Sequence, residues 1–208
     1  MDWVALPIDA LLAFAFTSLI IELTPGPNMT YLALVSASEG RRAGFATVAG
    51  VALGLAVVGV IAAFGVAEAI QASTALYEGL RWAGVVFLFY LAWEGWTGGT
   101  DVAARHGGAD GRHFMRGLLT NLLNPKAAVF YIAVLPTFLD ASRPPLAQTL
   151  TLTAIYVLVA TGIHAAIVVL AGALEPYLND PRRERIARRT LSALLALVAV
   201  WFAWSTAR

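Results

Sequence analysis

Two short runs place polar and charged residues inside otherwise apolar segments of the chain. The first is Glu22-Leu23-Thr24-Pro25-Gly26-Pro27-Asn28, and the second is Asn121-Leu122-Leu123-Asn124-Pro125-Lys126. Together they bring a carboxylate, amide side chains and an ammonium group into surroundings where an isolated charge is costly. Glu22 could pair with Lys126 or carry a coupling proton. The alternative to both roles is that Glu22 is exposed at a membrane interface and has no function there. The runs are therefore the first candidates for binding chemistry.

The same runs should interrupt the helices that contain them. Pro25 and Pro27 each lack a backbone N–H donor, and Pro25 disfavours the helical conformation in the residue before it. Gly26 permits almost any backbone conformation. The carbonyl groups before the first run's break and the amides after it cannot face lipid, so they must line protein or a wet cavity.

The overall composition indicates an integral membrane protein. The chain has 208 residues, of which 59% are hydrophobic and 13% are charged. Average soluble domains have about 45–50% apolar and about 25% charged residues. The net charge of +1 provides no field for nucleic acid. The chain has no Cys and only three His, which excludes thiol chemistry and gives no metal-ligand spacing, so no cofactor is expected.

Six segments are long and apolar enough to predict spanning helices, which need about 20 residues each. Three contain no charge: residues 43–67, 146–174 and 190–207. Three contain one or two charges: residues 10–38, 80–96 and 114–139. We interpret the first as a retained span, because it lacks a basic leading region and a cleavage site. If it is a re-entrant hairpin instead, five spans remain and the N-terminus moves to the cytoplasm.

Basic residues in the connections predict the orientation, since cytoplasmic loops are enriched in Arg and Lys. Ten of the 14 basic residues follow spans 1, 3 and 5: Arg41, Arg42, Arg105, Arg112, Arg116, Arg182, Arg183, Arg185, Arg188 and Arg189. Arg81, Arg143 and Arg208 lie on the opposite side. The odd-numbered connections should therefore be cytoplasmic and both termini should face outward. Asp180-Pro181 has the pattern of a helix cap and first-turn proline opening the last span.

The two interrupted spans occupy matching places in two halves of the chain. Pro25 and Pro125 are 100 positions apart, and each half has three spans with the broken one first. We expect one transporter domain, residues 1–208, with a first three-helix repeat over 1–100 and a second over 108–208. Because three spans reverse the direction of the chain, the repeats would be inverted, and paired broken helices in such repeats indicate a substrate site. The alternative is a structural hinge at residues 25–28 with Lys126 extending toward an interface.

Other features are less specific. Gly40, Gly44, Gly50 and Gly54 place small residues along the second span, which favours close helix packing within the chain or, alternatively, a homodimer contact. His164 lies inside the fifth span, where it is either a hydrogen-bonded core residue or a proton relay.

Several motifs resemble those of the LysE/RhtB amino-acid exporters, and the resemblance covers nearly the whole chain. Leu23-Thr24-Pro25-Gly26-Pro27-Asn28 resembles the N-terminal signature of that family, and Asn124-Pro125-Lys126-Ala127-Ala128 followed by Phe130-Tyr131 resembles its second signature. Gly40-Arg41-Arg42-Ala43-Gly44 with Gly50 and Gly54 is similar to its second helix, and residues 84–93 are similar to its third. The resemblance implies a bacterial inner-membrane exporter of amino acids or related metabolites that is driven by the proton-motive force.

The sequence as a whole, with the family resemblance, predicts an all-α, polytopic transmembrane bundle that is a proton-coupled exporter and not an enzyme. The expected substrate-binding residues are Thr24, Pro25, Gly26, Pro27, Asn28, Asn124, Pro125 and Lys126, and the expected coupling residues are Glu22 and His164. The expected partners are an amino acid, protons and the lipid bilayer, with a homodimer possible and no nucleic acid. The alternatives are a carrier or channel for inorganic cations, a membrane enzyme, for which no catalytic set occurs at one depth, and a purely structural membrane protein.

Overall fold

The computed structural model describes residues 6–23, 26–64, 73–97, 109–140, 142–173 and 180–205. Every element in these ranges is helical. They are α1 (Ile8–Leu23), α2 (Pro27–Ala63), α3 (Thr74–Thr97), α4 (Ala109–Leu122), α5 (Pro125–Val129), a π-helix (Phe130–Val134), a 3-10 helix (Leu135–Phe138), α6 (Pro145–Gly172) and α7 (Pro181–Ser205). Thr24 and Pro25, two of the predicted site residues, lie outside the described residues.

The apolar surface of the bundle faces outward, as expected for a helical membrane protein. By length and composition, α2 and α6 can each cross a membrane, with apolar windows of mean hydropathy 2.4 and 2.3. Large apolar side chains on the outer faces remain open to the surroundings, for example Leu158 and Leu170 at 72% and Trp204 at 83% exposure. Water would not tolerate so much exposed apolar surface on a monomer, whereas lipid would.

Helix α2 folds back on itself at Gly40. This glycine has φ 87° and ψ 172°, a conformation that favours glycine over residues with a side chain. A Cβ added at Gly44 would collide with the hydroxyl of Ser36, so residues on either side of Gly40 face each other. Residues 27–39 and 41–63 are therefore two arms of a tight helical hairpin, and the turn lies where the Arg41-Arg42 connection was predicted.

Helix α4 packs against both arms of this hairpin. Asn28 contacts Asn121 and Glu39 contacts His113, so α4 runs antiparallel to the first arm. Its direction is parallel to the second arm, because Thr47 meets Gly117 and a Cβ on Gly54 would meet Asn121.

The predicted small-residue packing within the chain is confirmed for the second arm. Gly50 faces the backbone of Phe114, where a Cβ would collide with the carbonyl oxygen. Gly59 faces Thr153 of α6, and Gly44 faces Val168, so α6 runs antiparallel to this arm. Glycine at these positions allows helix backbones to approach more closely than any side chain would permit.

The remaining helices complete the bundle. Helix α1 packs on α6, and α3 packs on α7 through a cluster that includes Leu88, Leu91 and Leu195. The predicted cap of the last helix is confirmed. Asp180 Oδ1 accepts hydrogen bonds from the backbone amides of Arg182 at 2.8 Å and Arg183 at 3.1 Å, and α7 begins at Pro181.

Candidate functional site

The first predicted helix break is present between α1 and α2. Helix α1 ends at Leu23, and α2 begins at Pro27 after Gly26, whose backbone is extended at φ −162° and ψ 178°. Among the described residues, no side chain caps the N-terminus of α2. These residues leave its first amide groups and the positive end of the helix dipole open to an external acceptor, which an anion could supply.

The second predicted break is present at Leu123 and Asn124. Helix α4 ends at Leu122, and α5 begins at Pro125 and continues through the π-helix and the 3-10 helix to Phe138. Asn124 caps α5, because its Oδ1 accepts a hydrogen bond from the amide of Lys126 at 3.0 Å. The two breaks therefore differ in the part of the chain that the structure describes: the second helix start has a side-chain cap, and no such cap is present at the first.

The two breaks meet at one small cavity. It has a volume of about 10 Å³, enough for roughly one water molecule. Its lining residues are Glu22, Gly26, Asn28, Met29, Leu55, Asn124, Lys126, Ala127 and Tyr156. Of the predicted site residues, Glu22, Gly26, Asn28, Asn124 and Lys126 therefore line a common space, while Pro27 and Pro125 begin the two helices beside it.

Glu22 is the acidic centre of the site and is only 4% exposed. Its Oε1 accepts a hydrogen bond of 2.6 Å from the hydroxyl of Tyr156, and its Oε2 lies 3.5 Å from Nε2 of His164. The ammonium group of Lys126 attracts the same carboxylate. Three groups that can carry a proton therefore face Glu22: Lys126, which the sequence offered as its partner, His164, which the sequence offered as a proton relay, and Tyr156.

Asn121 connects the breaks and was missed as a site residue. Nδ2 of Asn28 donates a hydrogen bond of 2.9 Å to Oδ1 of Asn121, which is fully buried. Within the described residues, Oδ1 of Asn28 and Nδ2 of Asn121 have no hydrogen-bond partner. Asn121 belongs to the second polar run, so its position three residues before Asn124 was the available signal.

Tyr156 was also missed, although the sequence of α6 contains a signal for it. The buried polar side chains of this helix recur at intervals of one, three, four or eight residues along one face: Gln148, Thr149, Thr153, Tyr156 and His164. Buried polar side chains that share one face of a helix are directed toward a polar site or another helix. This pattern would have placed Tyr156 beside His164.

The arrangement places positive and negative groups in the lining of one cavity. The N-terminus of α2 and the Lys126 ammonium can bind an anionic group, and the Glu22 carboxylate can bind a cationic group or a proton. No group of three His, Cys, Asp or Glu residues with metal-binding geometry occurs among the residues that the structure describes.

Comparison with known proteins identifies relatives that match almost the full length. The LysE type translocator family model matches residues 19–206. The homoserine/homoserine lactone efflux protein of Salmonella typhimurium is 28% identical over 92% of this chain and 94% of its own length. The leucine efflux protein of Salmonella choleraesuis is 26% identical over 89% of both chains. An uncharacterized membrane protein of Pseudomonas aeruginosa, PA4757, is 30% identical over 85% of both. No solved structure matches the chain.

Proposed function

Because the chain belongs to the LysE type translocator family, we propose that it exports an amino acid or a closely related metabolite across the bacterial inner membrane. Membership in this family supports a membrane transporter of small molecules rather than an enzyme. Two relatives carry names that specify efflux of homoserine, its lactone or leucine. These compounds are amino acids or derivatives of them, and they support the substrate class without fixing the individual compound.

The observation that carries the proposal is the presence of both Glu22 and Lys126 in the lining of a cavity where two broken helices meet. An amino acid at neutral pH has one carboxylate and one ammonium group. Its carboxylate would bind the free amides at the start of α2 together with Lys126. Its ammonium group would bind Glu22, with the side-chain oxygen of Asn124 and the carbonyls near the first break nearby. Gly26 leaves the backbone bare so that the substrate can approach.

We further propose that six spans form two inverted repeats with broken first helices. If the halves are inverted repeats, a contact made by the first broken helix should have a counterpart made by the second, and two such pairs of contacts are present. Phe14 of α1 meets Phe138 beyond the second break, and His113 of α4 meets Glu39 beyond the first. Likewise, Glu22 meets α6 just before the first break, and Asn121 meets the second arm of α2 just before the second. These two pairs of matching contacts support the proposed relation between the halves.

Transport then follows from rocking of the repeats about the cavity, which opens it to one side at a time. The cytoplasmic side is the side of Gly40 and the Arg-rich connections. We propose that Glu22 binds either the substrate ammonium or a proton, so that a proton entering from outside releases the substrate outward. His164 lies close enough to pass that proton to or from Glu22.

An efflux assay on cells loaded with dipeptides tests the function. Cells that overproduce the chain should release at least one amino acid several-fold faster than control cells, and collapse of the pH gradient should slow that release. Lys126→Met should reduce the rate about tenfold or more, because it removes a charge-assisted bond to the carboxylate. Lys126→Arg, which keeps the charge, is the matched control and should retain more activity.

Membrane levels of each variant must be equal for this comparison. Release of no compound would refute the exporter, and full activity of Lys126→Met at a normal membrane level would remove Lys126 from the site. Resistance to an inorganic cation without amino-acid efflux would support a cation carrier instead. That outcome is disfavoured by the cavity, where Lys126 opposes cations and Glu22 is the sole carboxylate among the lining residues.

A further inference from the structure

Five aromatic rings form a continuous column beside the cavity. Tyr156 stacks on Phe130 with ring centroids 3.8 Å apart and planes at 15°, and Tyr131 meets Tyr156 edge-on at 5.5 Å. Phe14 continues the column, lying 5.6 Å from Phe130 and 5.2 Å from Phe138. These five residues, Phe14, Phe130, Tyr131, Phe138 and Tyr156, are called the aromatic column below.

The aromatic column extends from the cavity to the connection between Phe138 and α6. Tyr156 lines the cavity at one end, and Phe138 precedes that connection at the other. Phe14 and Tyr156 are 0% exposed and Phe130 is 1% exposed, so the rings leave no open passage among themselves. In the proposed orientation this connection faces outward, because it lies opposite the turn at Gly40.

Tyr156 is the member of the aromatic column that also contacts the acidic centre of the site. Its hydroxyl donates to Glu22 at 2.6 Å. The hydroxyl of Tyr131 points elsewhere and donates to the carbonyl of Leu55 at 2.9 Å. One ring therefore joins the carboxylate that would bind substrate or proton to the residues that close the outer side.

We infer that the Tyr156 hydroxyl holds the aromatic column closed as long as the Glu22 carboxylate is ionised and unoccupied, so that the column is the outer gate of the carrier. This inference rests on the proposed function. A proton or a substrate ammonium group on Glu22 competes for the negative charge that makes the hydrogen bond strong. The unloaded carrier thus stays shut, and the loaded carrier can open.

Four groups interact with the Glu22 carboxylate. Tyr156 and His164 approach from α6, Lys126 approaches from α5, and Tyr131 of the π-helix interacts with the carboxylate electrostatically. Tyr156 differs from the other three because its ring is stacked inside the aromatic column while its hydroxyl bonds directly to the carboxylate. A change at Glu22 is therefore transmitted to the gate through this residue.

A thiol-labelling experiment tests the gate in the full-length protein. The chain has no cysteine, so Met29→Cys places a single thiol on the cavity wall. Intact spheroplasts are treated with a membrane-impermeant maleimide from the outside, and the labelling rate is measured. We expect Tyr156→Phe to raise this rate about tenfold or more, since it keeps the ring but removes a hydrogen bond to a charged group. Tyr131→Phe is the matched control and should change it less than twofold.

Glu22→Gln supplies an independent variant, because it removes the charge and keeps the shape. It should raise the labelling rate like Tyr156→Phe, and combining the two should add little. Equal labelling with and without the Tyr156 hydroxyl would overturn the inference, as would an equal increase from Tyr131→Phe. The assay needs no substrate. Failure of the efflux panel with a normal labelling response would refute the exporter but keep the gate, and the reverse result would refute only the gate.

Discussion

Gln148 fixes the short connection between the 3-10 helix and α6, because both the oxygen and the nitrogen of its side-chain amide bind the backbone of that connection. Its Oε1 accepts from the amide of Asp140 at 2.8 Å, and its Nε2 donates to the carbonyls of Asp140, Arg143 and Pro144 at 3.0, 3.1 and 3.3 Å. Gln148 is itself 2% exposed. One side chain therefore satisfies backbone groups that would otherwise be left unpaired where the chain reverses.

Asp140 stabilises the same connection, and its contribution depends on pH. The hydroxyl and the amide of Ser142 donate to its carboxylate at 2.6 and 2.9 Å, and Arg143 lies 3.0 Å away. These bonds, followed by the Arg143 charge, lower the pKa of Asp140 below its ordinary value. A carboxyl group with a lowered pKa contributes stability above the pKa it has when unfolded, about 3.9, and loses it as pH falls through the folded value.

Asp140→Asn should therefore lower the melting temperature of the detergent-solubilised protein slightly at pH 7. The difference from the unmodified protein should shrink as the pH falls from about 4 through the lowered pKa of Asp140, below which both proteins carry a neutral group at this position. Melting curves of the two proteins at both pH values provide the measurement. An equal difference at both would show that the charge of Asp140 plays no part.

At the residue scale, the sequence identified the charged site residues but not their neighbours. Glu22 and Lys126 were conspicuous because charge is rare in these segments. Tyr156 and Asn121 were not, because tyrosine and asparagine at buried positions are common and their partners depend on how each helix is rotated. That rotation is set by packing of α6 and α4 against α2, which no local pattern specifies.

At the scale of elements, glycines determine how closely the helices pack. A Cβ at Gly50 would collide with the carbonyl of Phe114, whereas a Cβ at Gly162 of α6 would meet nothing within 4 Å. Both glycines lie inside long helices. The pair therefore separates the effect of a close approach from the effect of glycine on the helix itself.

Gly50→Ala should destabilise the protein by about 1–3 kcal/mol or prevent folding, because α4 must move away from α2. Gly162→Ala should be neutral or stabilising by up to about 1 kcal/mol, because alanine favours the helix. Melting temperatures in detergent, together with the yield of monodisperse protein, measure both effects. Similar losses from the two substitutions would contradict the assignment of Gly50 to a helix contact.

The helix breaks could be predicted because proline removes a backbone donor whatever the tertiary context. The cap at Asp180 was predictable for a similar local reason. The sequence predicted a connection near Gly40. It did not predict that the chain reverses at this one glycine, since the flanking residues are all compatible with a continuous helix. The π-helix over Phe130–Val134 had no sequence signal. It lies immediately after α5 and carries Phe130 and Tyr131 into the aromatic column.

At the scale of the whole molecule, the two broken helices cross the bundle in opposite directions. Phe14 meets Phe130 and Phe138, Asn28 meets Asn121, and Glu39 meets His113, so the residue numbers fall along one helix as they rise along the other. The aromatic column lies at one end of this crossing, and the Glu39–His113 contact of 3.2 Å lies at the other.

The proposed topology can be tested with single thiols in the cysteine-free chain. Asp9→Cys and Ser142→Cys should react with an impermeant maleimide in intact spheroplasts, because both exposed positions lie on the predicted outer side. Arg182→Cys, also exposed, should react only after permeabilisation. Reaction of Ser142→Cys but not Asp9→Cys from outside would favour five spans with the N-terminus in the cytoplasm.

The small volume of the cavity has a consequence for the energetics of the carrier cycle. A space of about 10 Å³ holds roughly one water molecule, and an amino acid is several times larger. If the chain carries amino acids as proposed, each opening must draw bulk water into the protein, and each closing must expel it. The conformational equilibrium then depends on the chemical activity of water as well as on substrate and proton concentrations. Solutes too large to enter the cavity would shift that equilibrium toward the closed form by osmotic action alone.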